Sequence, residues 1–365
     1  MYSQKIAIIG GGIAGLAFAR RYRQLGGRVS IHESRPPEPR QGLGFILLEN
    51  GLRALSRVGL RSAVEAFSYP LAGCAISDHH GNLLLEENLE SVHGVTRSAF
   101  LKTLGEELPQ TWIHYGQIFS HFEKAPNGDA RRAVFRNGET VEADLFLGCD
   151  GSQSRVRAQI FPQAEFSPTR VCELVSVVDS NLDVARTNRR FLKIRHDAGG
   201  LALGIVPASP QKLIWYLQFD TAKYPEPGKG PSQLRGFARS LTRGWSGPAE
   251  QLIRATNFNQ TQVSPARVLE PLGAYFNKNV ALVGDAAHAL HSFTSQGVNT
   301  AIEDAALLAE KLAASRSSNH QSAFLDYSNI RKAAVRPLLA FGEKLQSEFL
   351  VPAARHPEIP LARTA

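Results

Sequence analysis

The sequence predicts an α/β protein: a Rossmann-like dinucleotide-binding domain, interwoven with a smaller mixed antiparallel β-sheet domain and closed by C-terminal helices. Three observations predict it. A glycine-rich turn, Gly10-Gly11-Gly12-Ile13-Ala14-Gly15, joins an apolar strand pattern to a helical one near the start of the chain. Two further apolar runs, Leu145 to Gly148 and Val280 to Val283, each deliver an aspartate paired with a glycine: Asp150-Gly151 and Gly284-Asp285. Between them, from about 171 to 267, apolar residues alternate with polar ones at a period of two, the signature of strands with two unlike faces.

Taken in order, Ile6 to Ile9 is a continuous apolar run, as expected of a strand buried on both faces. Leu16 to Leu25 has a helical pattern that stops at Gly26-Gly27, and Val29 to Glu33 reads as the next strand. Residues 36 to 44 are rich in Pro, Arg and Gly and form a loop. Asn50 to Leu60 reads as a helix. Ala75 to Asp78 and Leu83 to Glu86 flank a hairpin turn, Arg97 opens a helix running to Leu108, and Asn137-Gly138 marks a second hairpin. In the alternating region Leu192 and Ile194 oppose Lys193 and Arg195, while Trp215, Leu217 and Phe219 oppose Tyr216 and Gln218. A helix over Gln233 to Leu241 is expected to pack on this sheet. His320 to Leu350 is helical in pattern, followed by a Pro-rich tail. The expected division is 1–70, 97–170 and 268–350 for the nucleotide domain, 71–96 and 171–267 for the sheet domain, and 351–365 for the tail.

Composition narrows the function classes. The 365 residues are 43% hydrophobic and 20% charged, ordinary for a folded domain with a sizeable core. The net charge of +8 comes from scattered basic residues with no Lys/Arg run, which favours an enzyme of phosphate-bearing ligands over a nucleic-acid binder. Three widely spaced cysteines, Cys74, Cys149 and Cys172, give neither a disulfide framework nor a metal spacing, so a reducing cytoplasm is expected. No segment is long and apolar enough to span a bilayer. His288 and His291 lack a third ligand at useful spacing, so no metal is expected.

The chemistry lies in three segments. In Gly10-x-Gly12-x-x-Gly15 the first glycine permits the tight turn, the second lets the backbone approach a pyrophosphate and the third allows close helix–strand packing. The helix start at Ile13 and Ala14 offers N–H groups to phosphate. Glu33, at the end of the second strand with Ser34 and Arg35 beside it, is placed to accept from ribose hydroxyls. These residues fit FAD and NAD equally. In the second segment Gly151 after Asp150 allows close backbone approach to a ligand. In the third, Asp285 is placed to accept from a ribityl hydroxyl. The helix starting at Gln296-Gly297-Val298-Asn299 can stabilise negative charge at the pyrimidine edge of a reduced flavin.

Together these segments resemble the FAD-dependent aromatic hydroxylases, single-component flavoprotein monooxygenases similar to para-hydroxybenzoate hydroxylase. The resemblance implies an FAD domain of glutathione-reductase type. Gly10 to Gly15 with Glu33 is similar to the family's ADP-binding fingerprint, Asp150-Gly151 to its Asp-Gly motif and Gly284-Asp285 to its ribityl-binding motif. Val95 to Leu101 resembles the segment whose arginine contacts the flavin, which carries that role to Arg97. Gly42 to Leu47 resembles the stretch near the mobile flavin, which adds Gly44. Tyr327, Arg331 and Arg336-Pro337 fit the family's closing helix. The sequence departs from the family after Gly284-Asp285, where His291-Ser292-Phe293-Thr294-Ser295-Gln296-Gly297 has Ser292 in place of a frequent proline and Ser295 in place of a glycine.

The resemblance further implies reduction of FAD by NADPH or NADH, formation of a flavin hydroperoxide with dioxygen, and hydroxylation of a small, aromatic substrate by a monomer or homodimer. Arg40, Arg155 and Arg157 are candidates for the nicotinamide cofactor's phosphates. Tyr216, His196 and His291 are candidate bases for a phenolic substrate. Trp215, Tyr216 and Phe219 are candidate lining residues, with core packing as the alternative. The basic strand Arg189, Arg190, Lys193 and Arg195 reads as a solvated edge, with an anionic substrate as its alternative. Competing readings are a flavin-dependent halogenase, an oxygen-independent flavin reductase, and a non-enzymatic escort protein on the same fold. The halogenase's Trp-x-Trp-x-Ile-Pro segment is absent, and the escort reading predicts loss of glycines and of Asp285 that are present here.

Overall fold

A computed structural model describes residues 4–37, 43–179, 188–315, 320–352 and 357–361. Its nucleotide-binding sheet has six strands, in the order Phe276–Asn277, Val280–Leu282, Leu145–Gly148, Ile6–Ile9, Val29–His32, Ile113–His114. Only the first joins antiparallel. Ile6, Ala7, Ile8 and Ile9 pair in register with Leu145 to Gly148 on one side and Val29 to His32 on the other. That is why the N-terminal strand reads as uninterrupted apolar sequence: both faces are covered. The helices Ile13–Gln24 and Gly297–Ala314 pack against each other, and against this sheet, through Ala17, Phe18, Ile302 and Ala305.

The second large sheet has seven strands: Gln262–Pro265, Val171–Asp179, Lys212–Asp220, Leu201–Ser209, Arg190–Arg195, Gly73–Asp78 and Leu83–Asn88. All pairings are antiparallel except Arg190–Arg195 with Gly73–Asp78. Trp215, Leu217 and Phe219 enter a core shared with Leu234, Ala238, Leu252 and Phe258 of the covering helices, and the Trp215 indole N–H donates to Thr256 at 2.9 Å. Tyr216 and Gln218 face the other way, toward the nucleotide domain. A three-stranded sheet of Gly44–Leu47, His93–Thr96 and Tyr69–Pro70 lies between the two bodies.

One expectation is corrected. The basic strand is no solvated edge: Arg190–Arg195 runs between two neighbours, Lys193 and Arg195 are buried, and only Arg189 is fully exposed. Its polar face is covered by the long helix His320–Leu350, whose Glu348 carbonyl accepts from Arg195 at 3.0 Å. Within the C-terminal segment, Ile359 and Leu361 pack with Ile46, Leu71 and Ile76.

The first helix approaches its strand closely at Gly15, where a Cβ would lie 2.1 Å from the Gly10 carbonyl oxygen. Backbone at that distance cannot yield cheaply. Gly15→Ala is therefore expected to cost ~1–3 kcal/mol in urea unfolding; an unchanged midpoint would show that the helix does not approach the strand this closely.

Candidate active site and cofactor cradle

The N-terminal strand hands its chain to Gly10 in a left-handed conformation at φ +109°, and a Cβ there would lie 2.4 Å from the Cys149 carbonyl oxygen. Gly12 differs: it caps the first helix at φ −80°, and a Cβ on it would meet no atom within 4 Å. The helix N-terminus at Gly12, Ile13 and Ala14 thus opens onto a cavity with no acidic side chain in its first turn. Glu33 braces the loop. Its Oε2 accepts from the Gly11 N–H at 2.7 Å, and its Oε1 accepts from the Arg35 N–H at 2.9 Å and the Ser34 hydroxyl at 3.1 Å.

The middle of the cradle is built by the turn after Val280–Leu282. Gly284 adopts φ +64°, which turns Asp285 into the cavity. Burial raises the Asp285 carboxyl pKa, against the nearby His288 and Arg97 charges that lower it. The turn is pinned from below by Asp304, whose Oδ2 accepts from the Gly284 N–H at 2.8 Å, His288 Nε2 at 2.6 Å and the Tyr327 hydroxyl at 3.3 Å. Its Oδ1 accepts from Arg331 Nε at 2.5 Å, and Arg331 also reaches Glu303 at 3.0 Å. Burial alone would raise the Asp304 pKa, but the His288 and Arg331 charges with these hydrogen bonds hold it well below the usual carboxylate range.

These elements enclose a cavity of about 410 Å³. One end is lined by Gly12, Gly44, Arg97, Gly151, Asp285 and the Gly297–Val298 helix start; the other by the sheet residues Glu173, Val175, Ile214, Tyr216 and Gln218, with Ser292, Phe293 and Pro360. The residues at the first end fit FAD on an observation independent of sequence. An open helix terminus and the buried Asp285 carboxylate line one cavity, while the loop leading into that helix is braced by Glu33 and turns at Gly10, where a Cβ would not fit.

Not every expected residue reaches this cavity through its side chain. Asp150 accepts from the Arg155 and Val156 N–H groups at 2.7 and 3.1 Å, which starts the helix Arg155–Ile160; Gly151 beside it lines the cavity. Gln296 bonds the Asn50 amide, and Asn299 ties the Leu48 N–H and the Ile46 and Ser295 carbonyls, so both bolt the Gly297–Ala314 helix to its neighbours. Arg157 is not available to a phosphate: it is buried, donating to the carbonyls of Ser152 and Ala286. Arg155 remains exposed, and Arg40 lies outside the described residues. Trp215 and Phe219 belong to the core behind the sheet, away from the cavity.

Of the three candidate bases only Tyr216 lines the cavity. Burial pushes its phenol well above the ordinary value, which keeps it protonated. His196 stacks on His79 at the end of the sheet, and His291 is buried against Gly342 of the last helix. His288 is held by Asp304, outside any metal set; the His, Cys and acidic groups that do converge among the described residues are His79, His80 and Asp197, away from the cavity. Sequence reasoning missed Glu173, Ser292 as a polar contact, Asp304 and Pro360. The alternation that placed Gln218 on Tyr216's face was the available signal for this wall.

The fold and cradle define a flavoprotein that binds FAD. The chain belongs to the FAD-binding-domain family, whose model matches residues 3–341. It is 27% identical over 347 residues to 6-hydroxynicotinate 3-monooxygenase of Pseudomonas fluorescens, covering 89% of this chain and 86% of that protein. It is 25% identical over 346 residues to Monooxygenase 1 of Arabidopsis thaliana, covering 90% and 84%. Among solved structures, 2,6-dihydroxypyridine-3-hydroxylase from Arthrobacter nicotinovorans superposes with a TM-score of 0.84 at 18% identity, over 100% of this chain and 99% of that one. Klebsiella pneumoniae HpxO complexed with FAD and uric acid gives 0.83 at 22%, over 93% and 87%. The protein is an FAD-dependent monooxygenase, an oxidoreductase.

Two outcomes follow from the pinned turn. Asp304→Asn removes the fully buried partner of Arg331, leaving it the more exposed Glu303, and is expected to cost ~3–5 kcal/mol. The Asp304 pKa is lower folded than unfolded, so its contribution is complete above about pH 4 and is lost as pH falls toward the folded value. Chemical denaturation across pH 2–6 should show a flatter acid limb in the variant. Separately, Ser295 holds φ +54° where the family often has glycine. Ser295→Gly should raise stability by ~0.5–1 kcal/mol, and a loss on the same assay would contradict the left-handed assignment.

Proposed function

We propose that the protein hydroxylates a small aromatic or heteroaromatic ring, held between the flavin and the face of the seven-stranded sheet that carries Tyr216. The observation that carries this reading is the continuity of the cavity: one space runs from the nucleotide cradle to a sheet wall built from Val175, Ile214, Tyr216 and Gln218. Support comes from relatives whose names specify ring substrates, 6-hydroxynicotinate and 3-amino-4-hydroxybenzoate.

Bound FAD, reduced by NADPH or NADH, supplies the activation of dioxygen. The chain's own residues bind, orient and exclude water. We assign the first helix terminus at Gly12 to Ala14 to the pyrophosphate, Glu33 to the ribose hydroxyls and Asp285 to the ribityl chain. Arg97 and the N–H groups at Gly297 and Val298 offer positive potential to the flavin end of the cavity. Phe45, Val206 and Ile214 form apolar walls that keep water from the reacting ring. Tyr216, protonated at all ordinary pH values, donates toward a ring substituent and does not abstract its proton.

The purified protein should show the two-band absorbance of oxidised flavin, and a screen of aromatic compounds should find some that stimulate NAD(P)H oxidation. Gly12→Ala provides a sharp control. Its Cβ meets nothing in the protein, so stability should match the wild type while FAD affinity falls by at least about tenfold. Unimpaired FAD binding by the folded variant would remove the pyrophosphate from this position.

A further inference from the structure

We infer that Glu173 forms an anionic subsite at the sheet end of the cavity, which selects ring substrates bearing a hydrogen-bond donor or a cationic group, such as a ring N–H or an amine, over arene carboxylates. The inference rests on reading this cavity as the substrate site. Among the described residues, the arginine, lysine, aspartate and glutamate side chains that line the cavity are Arg97 and Asp285 at the cofactor end, and Glu173 at the sheet end. A ring docked against Tyr216 and Gln218 therefore meets one carboxylate and, among the described residues, no facing cation.

That carboxylate is held in place. Its Oε1 accepts from Gln218 Nε2 at 2.6 Å and from the Ser292 hydroxyl at 2.6 Å. Both donors fall on one oxygen, and a carboxylate has about four acceptor sites, so capacity remains for a ligand. Gln218 has no freedom to reverse its amide. Its Oε1 accepts from Lys193 Nζ at 3.2 Å, and an ammonium can only donate, as a carboxylate can only accept. Lys193 thus fixes the amide so that its NH₂ points at Glu173.

Lys193 is no counter-charge for the substrate. It stands behind Gln218, over the Phe293 ring at 5.3 Å, and borders a separate small void with Arg195 and Glu348 instead of the main cavity. Ser292 gives the departure from the family pattern a physical purpose. A proline there has no hydroxyl to donate, so the serine adds a bond that the common sequence does not make. An arene carboxylate placed on this floor would bring two like charges together in a partly desolvated site.

The test uses the FAD-loaded protein without NAD(P)H, following the flavin absorbance change on titration with 4-hydroxybenzylamine and with 4-hydroxybenzoate, which share a ring and differ in charge. The wild type should bind the amine at least about tenfold more tightly. Glu173→Gln should bring the two within roughly threefold, by weakening the amine and tightening the benzoate. Ser292→Ala, which removes a donor and leaves the carboxylate, should keep the amine preference. Equal or tighter binding of the benzoate by the wild type, failure of the amine to bind, or an undiminished preference in Glu173→Gln would each overturn the subsite. The wild-type ratio is read whether or not the variant folds. Charge discrimination with no aromatic able to stimulate NAD(P)H oxidation would instead sink the hydroxylase reading and leave the subsite standing.

Discussion

The buried carboxylate of Asp304 is the constraint on which the arrangement of the site depends. It is fully enclosed, so its desolvation must be offset by partners, and it draws them from separate stretches of chain: the Gly284 N–H, His288, Tyr327 and Arg331. Breaking any one of these leaves a polar group stranded in the interior. Strand end, turn, central helix and closing helix are therefore locked in one relative placement. That placement points Asp285 and the Gly297 helix terminus into the same cavity. A second lock, Asn299 on the Ile46 and Ser295 carbonyls and the Leu48 N–H, holds the Gly44–Leu47 strand against this frame.

The cavity joins two kinds of surface. Its cofactor end is mostly backbone, glycines and helix termini, where side-chain identity matters through what it leaves out. Its sheet end is side chain throughout, on strands whose opposite face is sealed by Trp215, Leu217 and Phe219. Such a division lets the cofactor cradle stay fixed while the sheet face is rewritten for a ring of different shape or charge. In this chain that face is apolar apart from the Tyr216 hydroxyl and a polar run formed by Glu173, Gln218, Gln262 and Ser264, with Ser292 reaching it from a neighbouring turn. Pro360, from a segment that returns after the last helix, completes the wall.

The cofactor half was legible in the sequence because its signals are local. The glycine spacing, Glu33 and Gly284-Asp285 each need only a strand end and a turn, and the structure sets Gly12 and Asp285 on one cavity with Glu33 bracing the loop before the first helix. The sheet half was less legible because its meaning is tertiary. Alternation sorted Lys193 and Arg195 onto one face but could not show that the last helix covers that face, so two buried cations read as surface charge. Glu173 looked like any polar residue on a half-exposed strand until the fold set Ser292 and Gln218 against it. Asp304 lies among the apolar Ala301, Ile302 and Ala305 of its helix, and its carboxylate is as buried as they are.

The central claim is that this cavity directs one oxygen atom of dioxygen onto a ring. Turnover under ¹⁸O₂ with NAD(P)H and an aromatic compound that stimulates its oxidation, followed by mass spectrometry of the product, measures this directly. The account predicts a product carrying one ¹⁸O atom, and none from labelled water. An unlabelled product, or a compound transformed equally well without oxygen, would contradict it.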